Sequence, residues 1–536
     1  MRPRRSAVFW GLCALVLGLA PARVATAATP PGWVTDRVRF EPVDGPLSVA
    51  GTGDYRGVIE LRAAGRAVAV VNEVGLDDYV KGISEVPVRW PIEAQKAQAI
   101  AARTYALYQM AHRPASAVAD ICPTQSCQVY AGLAKEQRDG GQAWTAAVEA
   151  TAGQVLLWKG GPINAKYSST NGGRTVGGGQ PYLRSVADPD DAQSPYHRWR
   201  VTLPLDILAG LFAPPGPLVA VQRIGDNVAF DWTDPDGGTG QMLVPAAAFR
   251  ERVNGAMPAP AGLPLTLPSI RFTLVSDASG AVADGQGWGH GVGMSQYGAL
   301  GKALRGMKAP EILASYYAGL KPVTMAAGQL PASIRVMLDP GRASAVVGSG
   351  GRFRVVDGAG NVIALAGRGD WQVVPAGAGK VRVVPPADQA GPPGVTSARL
   401  EQSSPQLGQA TRLLFGLSSP ATVQVAVQLP GQPPTTVDLG LRDPGEQAVD
   451  VPAALTPGAG QVVINADAGG GRTAVVPVGF AVVPAPPPPP RPRPARLAAV
   501  ERLVPSASLD AWIELGALAL LMLVSTGVVR LRRQLH

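Results

Sequence analysis

The apolar run from Ala511 to Val529 is interrupted only by Glu514, Ser525 and Thr526 and is followed at once by Arg530, Arg532 and Arg533. It limits the rest of the chain more than any other feature. About 20 apolar residues suffice to cross a bilayer as a helix, and a basic cluster behind such a run stays on the cytoplasmic side. Residues 511–529 are therefore expected to form one transmembrane helix, with 530–536 as a cytoplasmic basic tail. At the other end, Arg2, Arg4 and Arg5 precede an apolar stretch from Ala7 to Ala20 and the small-residue site Ala25-Thr26-Ala27. This is the layout of a secretory signal peptide over 1–27, which would carry Cys13 away with it. The chain is thus expected to be exported and held at the cell membrane by a single pass. Everything between its ends would fold outside the cell, in an oxidising space.

Charge follows the same division. Of the formal net charge of +9, the signal carries +4 and the tail from Pro486 another +4, which leaves +1 for the body. The basic balance reports export and anchoring rather than a nucleic-acid surface, so no nucleic acid is expected as a partner. Residues 484–510 open with Pro486 to Pro490 and Arg491-Pro492-Arg493-Pro494, a composition that favours an extended polyproline stalk.

Between the ends the chain alternates short strand and turn patterns. Residues 37–66 read as strands, with turn signals at Asp44-Gly45 and Gly51-Thr52-Gly53. A helix pattern opens at Pro91, where a missing N–H costs nothing, and runs to about His112. Beyond Ala327 the helix signal disappears. Residues 332–386, with Phe353-Arg354-Val355-Val356 and Val381-Arg382-Val383-Val384, predict a small β module. Residues 397–483, with Ala421-Thr422-Val423-Gln424-Val425-Ala426-Val427, predict an immunoglobulin-like β-sandwich. The expected class is an α+β domain over 37–327 followed by all-β modules and the terminal helix.

Three segments carry candidate chemistry. In the first, Glu85 sits in a turn among Ile83, Val86, Pro87 and Trp90, ahead of the helix. An apolar setting raises a carboxyl pKa and prepares it to donate a proton near neutral pH. Lys96 and Arg103 lie seven residues apart on one face of that helix, two turns from each other. The second segment, Ala165 to Thr175, is a strand running into a glycine turn, with Tyr167, Ser168, Ser169 and Asn171 as groups able to hydrogen-bond a sugar. The third, Gly287 to Ala299, contains His290, Gln296 and Tyr297 among glycines that suggest close backbone approach to a ligand. It lacks the Lys-Ser/Thr ending of a phosphate loop and the spacing of a dinucleotide fingerprint, which excludes nucleotide binding. Taken singly, each segment has an ordinary structural reading, and no Ser–His–acid set can be assigned from spacing.

Together and in this order, the three segments resemble the family of the stage II sporulation protein D, which includes the amidase enhancer of bacterial autolysis. The resemblance spans roughly residues 37–320 and rests most on Gly289-His290-Gly291-Val292-Gly293-Met294-Ser295-Gln296-Tyr297-Gly298-Ala299. It implies a lytic transglycosylase acting on peptidoglycan glycan strands, preferably stripped of stem peptides, with Glu85 as the one acid and base and no cofactor. Protonated Glu85 would donate to the oxygen between N-acetylmuramic acid and N-acetylglucosamine. The carboxylate would then take the proton of the muramyl 6-hydroxyl as it closes a 1,6-anhydro ring. Lys96 and Arg103 would pair with the free lactyl carboxylate of a stripped strand, unless Arg103 instead pairs with an internal acid and holds the fold.

The chain departs from the family at its cysteines. Some members bind zinc through a Cys/His cluster after the helix. Here Ser126 stands beside Cys127 where a His would be expected, and His112 is distant. Two thiols without a nearby His make a poor zinc site. Cys122 and Cys127, the two cysteines left after export, are expected to form a disulfide, with no metal bound. The competing readings are a non-catalytic activator of an amidase or other wall hydrolase, and a wall-binding scaffold built on the β modules.

Overall fold

The computed structural model describes residues 33–487, apart from 278. The expected signal at 1–27, the span at 511–529, the tail at 530–536 and all but the first residues of the stalk lie outside the described residues. Among the described residues no helix is long and apolar enough to cross a membrane.

The first β unit is a pair of six-stranded antiparallel sheets built from both ends of the globular part. One sheet takes the strands in the order 33–35, 380–384, 371–377, 345–348, 47–49 and 53–55. The other runs 333–342, 67–75, 58–64, 37–42, 353–357 and 362–367. Inner faces alternate with outer ones, as a half-buried strand requires. Phe40, Phe353 and Trp371 meet in the middle with ring centroids 5.6 to 6.3 Å apart. This corrects the expectation of a separate module at 332–386. Ser333–Arg342 pairs with Ala67–Gly75 from Ser333↔Gly75 to Arg342↔Val68, and Phe353–Asp357 pairs with Arg37–Pro42. Neither set of strands closes a core without the other.

Helices α1 (Leu76–Lys81), α2 (Ile92–His112) and α3 (Gly141–Glu149) follow the strand at 67–75. Pro91 caps α2, and the helix begins at Ile92. The small side chains of Ala97 and Ala101 let α2 pack closely on a second core, which includes Ala299, Ile312, Leu313 and Tyr316. An inserted unit then forms a six-stranded sheet in the order 198–203, 280–286, 272–277, 218–224, 227–233 and 239–245. Helices α4 (Leu205–Phe212) and α5 (Ala246–Ala256) cover it through Phe212, Phe230 and Phe249. The chain returns through α6 (Gln296–Leu304) and α7 (Ala309–Tyr316).

The last unit packs a three-stranded sheet (395–400, 411–417, 445–451) on a four-stranded one ordered 435–442, 421–428, 458–467 and 473–482. Its core comes from strict alternation, as in Val423, Val425 and Val427 against Val462 and Ile464. The buried guanidinium of Arg472 donates to the carbonyls of Ile363 and Gln389 and lies 5.4 Å over the Trp33 ring, joining this sandwich to the first unit.

If the strands after 332 complete the first core, a chain ending at residue 327 should lose cooperative thermal unfolding followed by circular dichroism. One ending at residue 392 should keep it. A sharp transition in the shorter chain would restore the module boundary.

Candidate active site

Glu85 lies in the turn between α1 and α2. The turn is clamped by the segment that follows α2: Ser84 N–H donates to the Val129 carbonyl at 2.8 Å, and Val129 N–H donates to Glu85 Oε1 at 2.6 Å. Gly82 is required next to this clamp, because a Cβ there would stand 2.4 Å from the Tyr130 ring. Cys122 and Cys127 are joined by a disulfide with their Cα atoms 5.6 Å apart, closing the loop that presents Val129.

The carboxyl of Glu85 opens into a cavity of about 450 Å³. Tyr167, Ser168, Ser169, His290, Gln296 and Tyr297 line it, so six of the nine expected sugar contacts converge on Glu85 from two distant segments. Those segments meet as two short parallel strands pairing Tyr167 with Met294 and Ser168 with Ser295. The glycines of the third segment make that meeting possible. A Cβ on Gly293, which has φ 74°, would sit 1.9 Å from the Lys166 carbonyl oxygen. The close approach read from the sequence as approach to a ligand is here approach to the neighbouring backbone.

The remaining three expected contacts lie elsewhere. Lys96 Nζ pairs with Glu93 on its own helix at 3.1 Å and does not line the cavity. Arg103 has 0 % exposure. It bonds Asp77 Oδ1 at 2.7 Å and the carbonyls of Val148 and Gln154. A buried guanidinium needs such partners, so Arg103 holds the fold. Asn171 is also buried, donating to Asp188 Oδ2 at 2.7 Å and accepting from Gly173 N–H at 2.8 Å. In their place the cavity includes Trp90, Tyr105, Lys166 and Trp288. Three of these stand inside or beside the motifs. Tyr105 carries no signal beyond its place on α2. Among the described residues Lys166 makes no ion pair, so it is the cation the cavity offers.

Burial pushes the Glu85 pKa up, while the Val129 N–H, the Gln296 amide and the charge of Lys135 oppose that shift without cancelling it. Lys135 is itself buried, bonds the Val86 carbonyl, and is pulled down to about 8. Tyr167 is raised by burial and then by the Glu85 charge, and its hydroxyl accepts from Gln128 at 2.8 Å. His290 is solvent-exposed on one side, yet its pKa is lowered by the part of the chain it lies against and then by Lys166, which favours the neutral ring. Its Nδ1 accepts from Val292 N–H at 2.9 Å, which leaves the proton on Nε2. The Ser168 hydroxyl is buried and has no hydrogen-bond partner among the described residues, leaving it for a ligand.

Both loops hang on one carboxylate beneath the cavity. Asp191, at 0 % exposure, accepts from Thr170 Oγ1 (2.5 Å), Asn171 N–H (2.8 Å), Gly172 N–H (2.8 Å) and Ser295 Oγ (2.5 Å), and meets His197 Nδ1 at 2.9 Å. Burial alone would raise its pKa. The bonds from Ser295, Thr170 and Asn171 outweigh it and hold the group below the usual carboxylate range.

A family model described as Stage II sporulation protein matches residues 64–158, which include Glu85 and the disulfide. Stage II sporulation protein D of Bacillus amyloliquefaciens is 30% identical over 270 residues, covering 47% of this chain and 74% of that protein. The protein of the same name from Bacillus subtilis (strain 168) is 31% identical over 274 residues, covering 46% and 74%. The amidase enhancer of Bacillus subtilis (strain 168) is 29% identical over 295 residues, covering 45% of this chain and 39% of the enhancer. The chain belongs to the stage II sporulation protein D family.

Two outcomes test the site. Asp191→Asn puts an amide N–H₂ among donors, and should cost at least about 2 kcal/mol in urea unfolding, the scale of one bond to a buried charge. Lys135→Met removes a charge that lowers the Glu85 pKa. The alkaline limb of any reaction needing protonated Glu85 should then move to higher pH in a pH–rate profile; an unmoved limb would assign it to another group.

Proposed function

We propose that the chain is a peptidoglycan lytic transglycosylase working in cell-wall remodelling, cleaving the bond between N-acetylmuramic acid and N-acetylglucosamine to leave 1,6-anhydro ends. The observation that carries this reading is that Glu85 is the one carboxyl among the described residues lining the cavity. Glycoside hydrolysis by the usual route needs two carboxyls, one of them to activate water or form a glycosyl ester. An intramolecular nucleophile removes that need. Glu85, whose protonated form is favoured by burial, gives its proton to the leaving oxygen, and the resulting carboxylate accepts the proton of the muramyl 6-hydroxyl as O6 bonds to C1.

The surroundings suit this chemistry. The Gln296 amide and Val129 N–H stabilise the carboxylate formed midway. Trp90 and Tyr297, with ring centroids 5.1 Å apart, offer apolar faces to a pyranose. Lys166 would meet the lactyl carboxylate of a stripped strand, the part first expected of Lys96 and Arg103. The apolar segments at the two chain ends support export and membrane anchoring, with this cavity outside the cell. Similarity to an amidase enhancer supports a second reading, in which the cavity binds strands and a partner wall hydrolase does the cutting.

Glu85→Gln should bind stripped glycan strands and lose about 10²–10⁴ of the cleavage rate, the usual contribution of a general acid–base group. Mass spectrometry of the released ends checks the product. Anhydro ends at near-normal rate from that variant would remove Glu85 from the mechanism. If neither form cleaves while both stimulate an amidase equally, the second reading is correct.

A further inference from the structure

A second concavity, of about 820 Å³, lies on the outer face of the inserted sheet and is lined by Arg198, Arg200, Arg271, Thr273, Asp284 and Gln286. Its charges do not balance. Arg200 is matched by Asp284, with Nε and Nη2 at 2.6 and 2.8 Å from the two carboxylate oxygens. Arg198 bonds only the side-chain oxygen of Gln286, and Arg271 donates to the Asn171 carbonyl. Among the described residues neither forms an ion pair. Burial lowers the pKa of half-buried Arg271 most, the charge of buried Asp191 opposes that, and Arg198 is near enough to lower it further. Like charges held together around a hollow favour an anion in it.

Two chain segments lead from the groove to the cavity. Residues 196–198 and 286–288 run side by side, with Arg198 paired to Gln286 and Gly287 N–H donating to the Tyr196 carbonyl at 3.1 Å. Two residues on from the groove, each segment carries an aromatic ring. Tyr196 and Trp288 meet edge to face at 5.1 Å, and Tyr196 lies 6.5 Å from Tyr297. Trp288 and Tyr297 are cavity walls. In sequence, Tyr196 is two residues from Arg198 and Trp288 two from Gln286.

We propose that cavity, aromatic pair and groove form one track for a polysaccharide, and that Arg198 and Arg271 bind a carboxylate on a sugar beyond the one at Glu85. This rests on the reading of the substrate as a glycan strand. The aromatic faces carry the apolar side of the intervening sugar, and the guanidinium forks take the carboxylate bidentately. The groove thereby favours long acidic chains over short ones. Arg271 also pins the Asn171 carbonyl, so Arg198 is the cleaner residue to change.

The test measures affinity in the full chain carrying Glu85→Gln, with long stripped glycan strands and with a single disaccharide unit. Adding Arg198→Glu should weaken long-strand binding about tenfold, with a change of less than about twofold for the disaccharide. Arg198→Lys should recover part of the loss, and the salt dependence of long-strand binding should flatten in Arg198→Glu. Equal losses at both lengths, or none, would overturn the track. Inorganic phosphate supplies the free-anion arm: phosphate binding abolished by Arg198→Glu, with strand binding untouched, would overturn assignment of the groove to the chain. If the unsubstituted protein cleaves no strand yet binds long ones in a salt- and Arg198-dependent way, the lytic reading falls and the track stands.

Discussion

The buried carboxylate of Asp191 gathers donors from three stretches that are far apart in sequence: Thr170, Asn171 and Gly172, then His197, then Ser295. Taking a charge out of water costs several kcal/mol, and only a full set of donors offsets it. The set here is full, so the carboxylate works as a knot. The Tyr167–Ser168 strand cannot move without the start of α6, at Gln296 and Tyr297, moving too. Next to it, Lys302 and the Tyr316 hydroxyl bond the equally buried Asp188, which in turn holds Asn171. The floor of the cavity is thus a polar network with little slack, and rigid support of this kind is what a site needs to hold its reacting groups in register.

Glu85 stands on the opposite wall under a different balance. Burial favours its protonated form, and three groups oppose that without reversing it. The disulfide-closed loop belongs to this balance because it presents Val129. Cys122 and Cys127 give that loop a covalent closure.

The architecture explains why the site lies where it does. The first β unit is split, with its opening strands before α1 and its closing strands after α7. Everything between is a long excursion from that frame, itself interrupted by the inserted sheet. The cavity forms where the excursion's start, at Glu85, meets its middle and end, at Tyr167 and Gln296. The segments flanking the inserted sheet carry Tyr196 and Trp288, and the sheet itself carries the arginine groove.

Much of this was legible in the chain. Glu85, an ordinary surface acid when taken alone, stood out once the two later motifs were read with it, and the glycines of 287–298 announced a close backbone approach, though to a ligand rather than to the neighbouring strand. Strand alternation after residue 332 gave the all-β character, since period-two patterning is local. Partners were not local. The same alternation fits a separate module or a completed sandwich, and only the pairing of Ser333–Arg342 with Ala67–Gly75 decided between them. Likewise, helical spacing placed Lys96 and Arg103 on one face, but a helix face does not say what it faces. Asp77 and Glu93 claimed both cations, while Lys166, just ahead of a short strand and with no such pattern, lines the cavity and makes no ion pair among the described residues. The sequence by itself determined which residue types were available and how each segment would curl or extend, because those preferences act over a few residues. The tertiary structure alone decided which charges were spent on the fold and which remained for a ligand, because burial and ion pairing depend on neighbours the chain brings in from far away.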